Sequence, residues 1–318
     1  MSTLLDDAIN NRIHIALTLD STYAMPAAVT LRGIAENVQG PVTVYVYDCG
    51  LREEDKKKIE ASLPERPDFT LLFMPLPPDG LGNKLGAAWA RIDAMKTLPL
   101  DRVLYLDADI LVRKDLRELW NTDLKGYALG VVPDPFMPTG HDGVRVPRGL
   151  FFNSGVLLID LVEVRPTIPA LEKLCCRMKG TTAFRDQDPL NVHFRSHTMP
   201  LSDRWNAIGY GTAAPDEERN KLFLEEAKDP AIVHFIGPAH PSALYVLSVP
   251  NFQTPNTKPW GYVGARGHPY AEEWWEVLER TAWKGYRETT EYKETCERAK
   301  MKTWKLVEEE FERRVGLR

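Results

Sequence analysis

The chain has 318 residues, enough for two domains or for one large α/β domain with a tail, and enough for a core that needs no disulfide or metal staple. Its 43% hydrophobic, 27% charged and 9% aromatic residues are the proportions of an ordinary globular protein, which excludes a largely disordered chain. The 40 basic and 45 acidic residues give a formal net charge of -5, which argues against a protein that works by holding nucleic acid backbone.

No stretch of 18 apolar residues is present, so no transmembrane segment is expected. The opening MSTLLDDAINNR is polar and acidic, without the apolar run of a signal peptide. Cys49, Cys175, Cys176 and Cys296 form no C-x-x-C pair. They read as reduced thiols, and the protein as cytoplasmic.

Ile13–Leu19 is a short apolar run that reads as a buried strand, and Met25–Glu36 follows with helical spacing, Pro26 suiting a first turn. Val42–Tyr47 is a second strand, Arg52–Ser62 a charged helix and Thr70–Met74 a third strand. Pro75–Asn83 reads as a loop, Leu85–Lys96 as a helix, and Arg102–Leu106 as a fourth strand ending in Asp107-Ala108-Asp109. Strands alternating with helices imply βαβ units and a parallel sheet, with ligands outside the carboxyl ends of the strands. Asp20 and Asp107 both stand at such ends.

The second half is less regular. Ala128–Pro133, Val156–Asp160 and Ala231–Ile236 read as strands, and Thr167–Gly180 and Pro189–Ser196 as helices. Pro238–Pro259 carries five prolines and reads as a loop. Ala271–Arg287 and Thr289–Arg314 read as helices, the last a charged tail expected to pack on or cap the rest.

Asp107-Ala108-Asp109 follows an all-apolar strand, and apolar residues resume at once. Carboxylates at i and i+2 of extended chain share a side, so both can reach one hard divalent cation, and such an ion would stabilise a departing diphosphate. His234 ends a strand, where imidazole would complete a Mn²⁺ site better than a Mg²⁺ site. Phe151-Phe152-Asn153-Ser154-Gly155 reads either as a turn or as a polar Asn at the mouth of the sheet. In Arg185-Asp186-Gln187-Asp188-Pro189, Asp188 reads as an N-cap with Pro189 at the first helical position, leaving Asp186 and Gln187 in the loop beside a ligand. The glycines of Gly80–Gly86 fit neither the dinucleotide nor the P-loop spacing and read as a flexible loop feeding a helix.

Together, ALTLDSTY (16–23), ARIDAM (90–95), VLYLDADILV (103–112), FFNSGVLLIDL (151–161), RDQDPLN (185–191), RWNAI (204–208) and HFIGPAH (234–240) resemble family 8 of the retaining glycosyltransferases, in family order and over residues 13 to 260. The resemblance implies an α/β GT-A fold: a Rossmann-like, mostly parallel sheet flanked by helices. A catalytic domain over 1–265 would divide into a nucleotide-sugar part at 13–125 and an acceptor and sugar part at 126–265. A helical C-terminal extension would cover 266–318.

It further implies a hexosyltransferase with a UDP-glucose or UDP-galactose donor, Mn²⁺ with Mg²⁺ as substitute, and an unidentified hydroxyl acceptor that is a sugar, a small molecule or a protein. A homodimer is compatible with it. Asp107 and Asp109 then resemble the metal-binding pair and His234 the third ligand. Thr18, Asp20 and Tyr23 fall where the family holds uridine, with Thr22 where Asn or Asp is common. Arg91 resembles an Arg that reaches the donor. Ala108 and Gly237 join the donor contacts, and Asp134, Asn153 and Asp186 fall at the sugar hydroxyls. Gln187 falls beside the anomeric carbon. The family's Lys-Pro-Trp is displaced to Lys258-Pro259-Trp260 by an added loop, so Lys258 is expected at the diphosphate, with His240 as the rival.

Retention needs bond breaking and bond making on one face of the sugar. Gln187 is an amide and a poor nucleophile, so front-face attack is expected, the departing phosphate oxygen taking the acceptor proton. Asp186 as nucleophile is the lesser reading. Two alternatives stand beside this: a haloacid-dehalogenase-type phosphohydrolase, which also places Asp-x-Asp after an apolar strand, and a non-catalytic nucleotide-sugar-binding protein.

Overall fold

The computed structural model describes residues 11–135, 137–208, 228–236, 258–261 and 268–315. β1 (Ile13–Leu19), α1 (Ala24–Asn37), β2 (Val42–Asp48), α2 (Glu53–Ala61) and β3 (Phe69–Pro75) alternate as the sequence predicts. β1, β2 and β3 run parallel, with Ile13 opposite Val42 and Val42 opposite Phe69. Runs such as VTVYVY are apolar at successive positions because successive side chains point to opposite faces and both faces are buried.

One difference lies before the fourth strand. Instead of one helix over Leu85–Lys96 there are α3 (Leu81–Leu85), a 3₁₀ turn at Ala87–Trp89 and α4 (Ala90–Thr97). Gly86 separates them at φ 105°, a conformation that L side chains rarely adopt. The glycine loop is also pinned rather than loose. The buried Asp93 carboxylate accepts from the Leu81 and Gly82 N–H groups at 2.8 and 2.7 Å.

β4 (Arg102–Leu106) lies parallel to β1 on its other side, which puts Asp20 and Asp107 at the same edge of the sheet. Then follow β5 (Ile110–Val112), β6 (Leu129–Pro133), a small hairpin of β7 (Gly140–His141) and β8 (Val144–Arg145), and β9 (Phe152–Asp160). After them come α5 (Ile168–Met178), α6 (Gln187–Phe194), β10 (Thr198–Pro200) and β11 (Ile232–His234). The main sheet has the order β10-β6-β9-β4-β1-β2-β3, mostly parallel, with β9 antiparallel to both neighbours. β5 and β11 form a separate antiparallel pair.

One apolar layer packs α1 residues such as Ala27, Leu31 and Ile34 on the sheet, and the other packs Ile92, Met95, Leu171 and Leu190 on its opposite face. The sheet is therefore flanked by helices on both sides. β9 begins at Phe152 rather than Val156, so Asn153 and Ser154 are buried strand residues and not a turn. Opposite β6 the register jumps, from Val131–Leu157 to Val132–Asn153. Such irregularities re-aim side chains at the ends of sheets.

Toward the C-terminus, α7 (Ala271–Leu278) stops well short of Arg287, and α8 (Thr290–Arg314) is N-capped by Thr289, whose Oγ1 accepts from the Tyr292 N–H at 3.2 Å. Trp274 of α7 stacks on Trp260 at 4.8 Å, and Tyr292 packs edge-on to Trp275. The expected packing of the tail thus holds for the first turns of α8. Further along, Met301, Trp304, Phe311 and Val315 are exposed. None of the four cysteines is in a disulfide. No described helix is long and apolar enough to cross a membrane.

Candidate active site

Asp107, Ala108 and Asp109 link β4 to β5 as a tight turn, not as the extended chain that the i, i+2 argument assumes. The carboxylates still converge because the turn is held from below. The fully buried Thr30 hydroxyl of α1 meets the carbonyls of Ala108 at 3.0 Å and Ile110 at 2.8 Å, and the Asp107 N–H donates to Gly155 O at 2.8 Å. α1 can lie this close because Gly33 has no Cβ; one built there would be 2.8 Å from Val112 O.

His234 reaches the same point from β11. Its Nε2 is 3.2 Å from Asp109 Oδ1 and 3.8 Å from Asp107 Oδ2. Ligand atoms of the three residues lie within 4.8 Å of one another. The donor set, two carboxylates and one imidazole, is one that suits Mn²⁺. Gly155 forms part of the cradle: a Cβ there would be 2.7 Å from His234 Nδ1 and 2.9 Å from Asp107 Oδ2, so the cluster closes around a position without a side chain. The three residues fit a divalent ion on both counts.

Lys258 is drawn into this cluster from far along the chain. Its Nζ contacts Asp109 Oδ2 and donates to Phe235 O at 2.9 Å, and it lies 5.5 Å from the Tyr23 ring centroid and 5.4 Å from that of Trp260. Burial opposes ionisation of Asp109, yet the Lys258 ammonium holds its carboxyl well below the usual range. Burial likewise works against the Lys258 charge, and the Asp109 carboxylate offsets it enough to raise the ammonium pKa.

Arg91 of α4 joins three walls of the site. Its guanidinium lies over the Tyr105 ring at 4.4 Å from the centroid, meets Asp107 Oδ1 at 2.9 Å and Asp186 Oδ2 at 2.6 Å, and donates to Ser154 O. Arg91 is 4% exposed. Asp186 occupies the N-cap position of α6 without capping it, its carboxylate turned to Arg91 instead. Burial pushes that carboxyl up to about 6, Arg91 opposing the rise and Asp107 adding to it. Gln187 opens α6, and its Oε1 accepts from the Ser154 N–H at 3.0 Å and from Asn153 Nδ2 at 3.3 Å.

The expected N-cap is a correction. Asp188 is inside the helix and fully buried. Its carboxylate accepts from the Ala183 and Phe184 N–H groups and meets His141 Nε2 at 2.9 Å, so it braces the preceding loop rather than the helix end.

A cleft of about 200 Å³ is lined by Thr18, Asp20, Tyr23, Arg91, Tyr105, Asp107, Ala108, Asp109 and Arg185. Thr18 Oγ1 bonds Tyr105 OH at 2.9 Å, and Asp20 is turned back on the Thr22 N–H. Asn153, Asp186 and Gln187 are buried and outside this lining, Asp186 joined to it through Arg91, and Asp134 is buried at the end of β6, its N–H on Phe151 O. Gly237 and His240 lie outside the described residues.

Three polar residues that position the site carry no role in the sequence reading: Thr30, Asn191 and Asn206. Asn191 is fully buried and exchanges two 2.9 Å bonds with the Phe152 backbone, which ties α6 to the start of β9. Asn191 and Asn206 stand inside quoted motifs. Thr30 has a weaker signal, a polar residue on an otherwise apolar helix face.

Residues 83–241, half of the chain, match the sequence profile of Glycosyl transferase family 8. General stress protein A of Bacillus subtilis (strain 168) is 26% identical over 299 residues, 85% of this chain and 94% of that protein. The Lipopolysaccharide 1,2-glucosyltransferase of Escherichia coli (strain K12) is 31% identical over 163 residues, 46% of this chain and 47% of that protein. Among solved structures, galactosyltransferase LgtC in complex with donor and acceptor sugar analogues superposes with a TM-score of 0.64 at 22% identity, over 86% of this chain and 99% of that one. GlyE of Streptococcus pneumoniae TIGR4 gives 0.61 at 22%, over 85% and 60%. These likenesses show the fold, which is GT-A.

Proposed function

The chain belongs to glycosyl transferase family 8, and on that premise we propose that it is an anomer-retaining hexosyltransferase, moving glucose or galactose from a UDP-sugar to an acceptor hydroxyl. The observation that carries the reading is the convergence of Asp107, Asp109 and His234 beside Lys258 and Arg91, at the carboxyl edge of β1 and β4. Relatives named for glucosyl and galactosyl transfer support a hexose donor. The phosphohydrolase alternative gains nothing from the geometry, since Asp107, which would have to act as the nucleophile, is paired with Arg91 at 2.9 Å.

Asp107, Asp109 and His234 would hold Mn²⁺, and the ion would supply positive charge to the leaving diphosphate. The chain's own groups do the rest. Thr18, Asp20 and Tyr23 line the part of the cleft where uridine would lie, as does Ala108, and Gly237, outside the described residues, would be a further donor contact. Lys258 adds a second fixed cation for the diphosphate, where electrostatic stabilisation acts with most effect in a site of low dielectric. Asp134, Asn153 and Asp186 would orient the sugar hydroxyls. Gln187 faces the reacting carbon as an uncharged amide, its Oε1 already engaged by the Ser154 N–H. An amide so held is unsuited to forming a covalent glycosyl bond, which supports front-face attack with the departing phosphate oxygen taking the acceptor proton.

The deciding assay measures UDP release from UDP-glucose and UDP-galactose with Mn²⁺, with and without a panel of hydroxyl acceptors. Acceptor-stimulated UDP release supports the reading. Binding without release would make the protein a nucleotide-sugar-binding module, and phosphate release from a phosphomonoester would make it a hydrolase.

A further inference from the structure

We infer that Asn206 is a positioning residue that fixes the tautomer of His234 and so aims an unprotonated Nε2 at the carboxylates; this rests on the metal reading of the site. Backbone N–H groups are donors that cannot be exchanged for acceptors. The Gly155 N–H donates to Asn153 at 2.9 Å, so the atom that receives it is the amide oxygen. The same oxygen is 2.9 Å from the Asn206 side chain, which must therefore present its NH₂. Asn206 then has only its oxygen left for His234 Nδ1, at 3.0 Å, and an oxygen without hydrogen can only accept. Nδ1 carries the proton.

Neutral imidazole has one N–H, so Nε2 is left with a lone pair, and it faces Asp107 and Asp109. A lone pair aimed at two carboxylates is favourable only with a cation among them. Asn206 is 2% exposed, so water does not compete for this bond. At the far end of the chain, Gln187 Oε1 accepts from the Ser154 N–H, which fixes Asn153 Nδ2 as donor by the same logic. Two strand N–H groups thus orient a relay of three side-chain amides running from the residue beside the sugar to the metal ligand.

A ligand whose second nitrogen is held by an outer partner commonly loses 10- to 100-fold in metal affinity, as an order of magnitude, when that partner is removed. The test uses Asn206→Leu, close in size and without an acceptor. Mn²⁺ affinity is measured with UDP present by the paramagnetic resonance signal of free Mn²⁺, and the His234 ring nitrogens are observed by ¹⁵N NMR in the metal-free protein at alkaline pH, assigned with His234→Gln. Protonated Nδ1 in the native chain, with a loss of roughly 10- to 100-fold in Mn²⁺ affinity and a shift toward protonated Nε2 in the variant, supports the inference. Protonated Nε2 in the native chain overturns it, and this measurement stands even if the variant does not fold. Unchanged Mn²⁺ affinity in a folded variant also overturns it. A native chain that binds no Mn²⁺ refutes the metal reading first and the inference with it, so the two failures are separable.

Discussion

Replacing Asp186 by Asn should stabilise the metal-free protein while weakening its proposed contact with the donor sugar. Contact geometry alone suggests the opposite, since Arg91 stands 2.6 Å from the carboxylate. Both side chains are about 5% exposed, however, and the lost hydration and the nearby Asp107 outweigh the guanidinium, leaving the carboxyl at about 6 against an ordinary 3.8. The folded-state pKa is raised, so the contribution of this group to stability is fully present below about pH 3.8 and is lost as the pH rises through about 6. Asn stands in for the protonated acid at every pH. Its advantage should therefore grow from under about 1 kcal/mol near pH 4 to about 3 kcal/mol near pH 8, with most of the change between the two pKa values. Urea denaturation in EDTA at several pH values reads this difference directly. A variant that is less stable than the native chain at pH 8 would show that Arg91 outweighs the cost of burial, and the reasoning would fail. The expected pairing of higher stability with lowered turnover is what a strained functional site gives.

Three further expectations concern the reaction. EDTA should abolish turnover and Mn²⁺ restore it, and Asp107→Asn or Asp109→Asn should lower the rate by roughly a hundredfold or more with the fold intact; full activity in EDTA would remove the metal assignment. Lys258→Ala should slow the departure of UDP more than it weakens donor binding, seen as a fall in kcat with KM for the donor little changed, while His240→Ala stays near native; the reverse result would reassign the cation across the added loop. An α-linked donor should yield an α-linked product, read from the proton coupling at C1 by NMR, and a β-linked product would exclude the retaining mechanism.

The parts of this fold that can be read from the sequence are those fixed by burial on both faces. VTVYVY and RVLYL leave a strand little alternative, and a carboxylate directly after such a run marks the sheet edge where Asp107 stands. What cannot be read are polar contacts between segments far apart in the chain. Thr30 and Ala108 are brought together by packing of α1 on β5, and Asn206 meets Asn153 where the register between β6 and β9 jumps. The Asp188-Pro189 pair is the most instructive case. By local capping rules it opens a helix, and it fails to do so because Arg185, at φ 49°, folds the loop back so that the Ala183 and Phe184 N–H groups face Asp188. The cap position falls to Asp186, which leaves the helix end uncapped and turns to Arg91, while Gln187 moves onto the first turn and against Ser154. The local rule is broken at the two residues that the proposed reaction needs beside the sugar. A helix end that forgoes its own cap in this way is better explained by the demands of the site than by those of the fold.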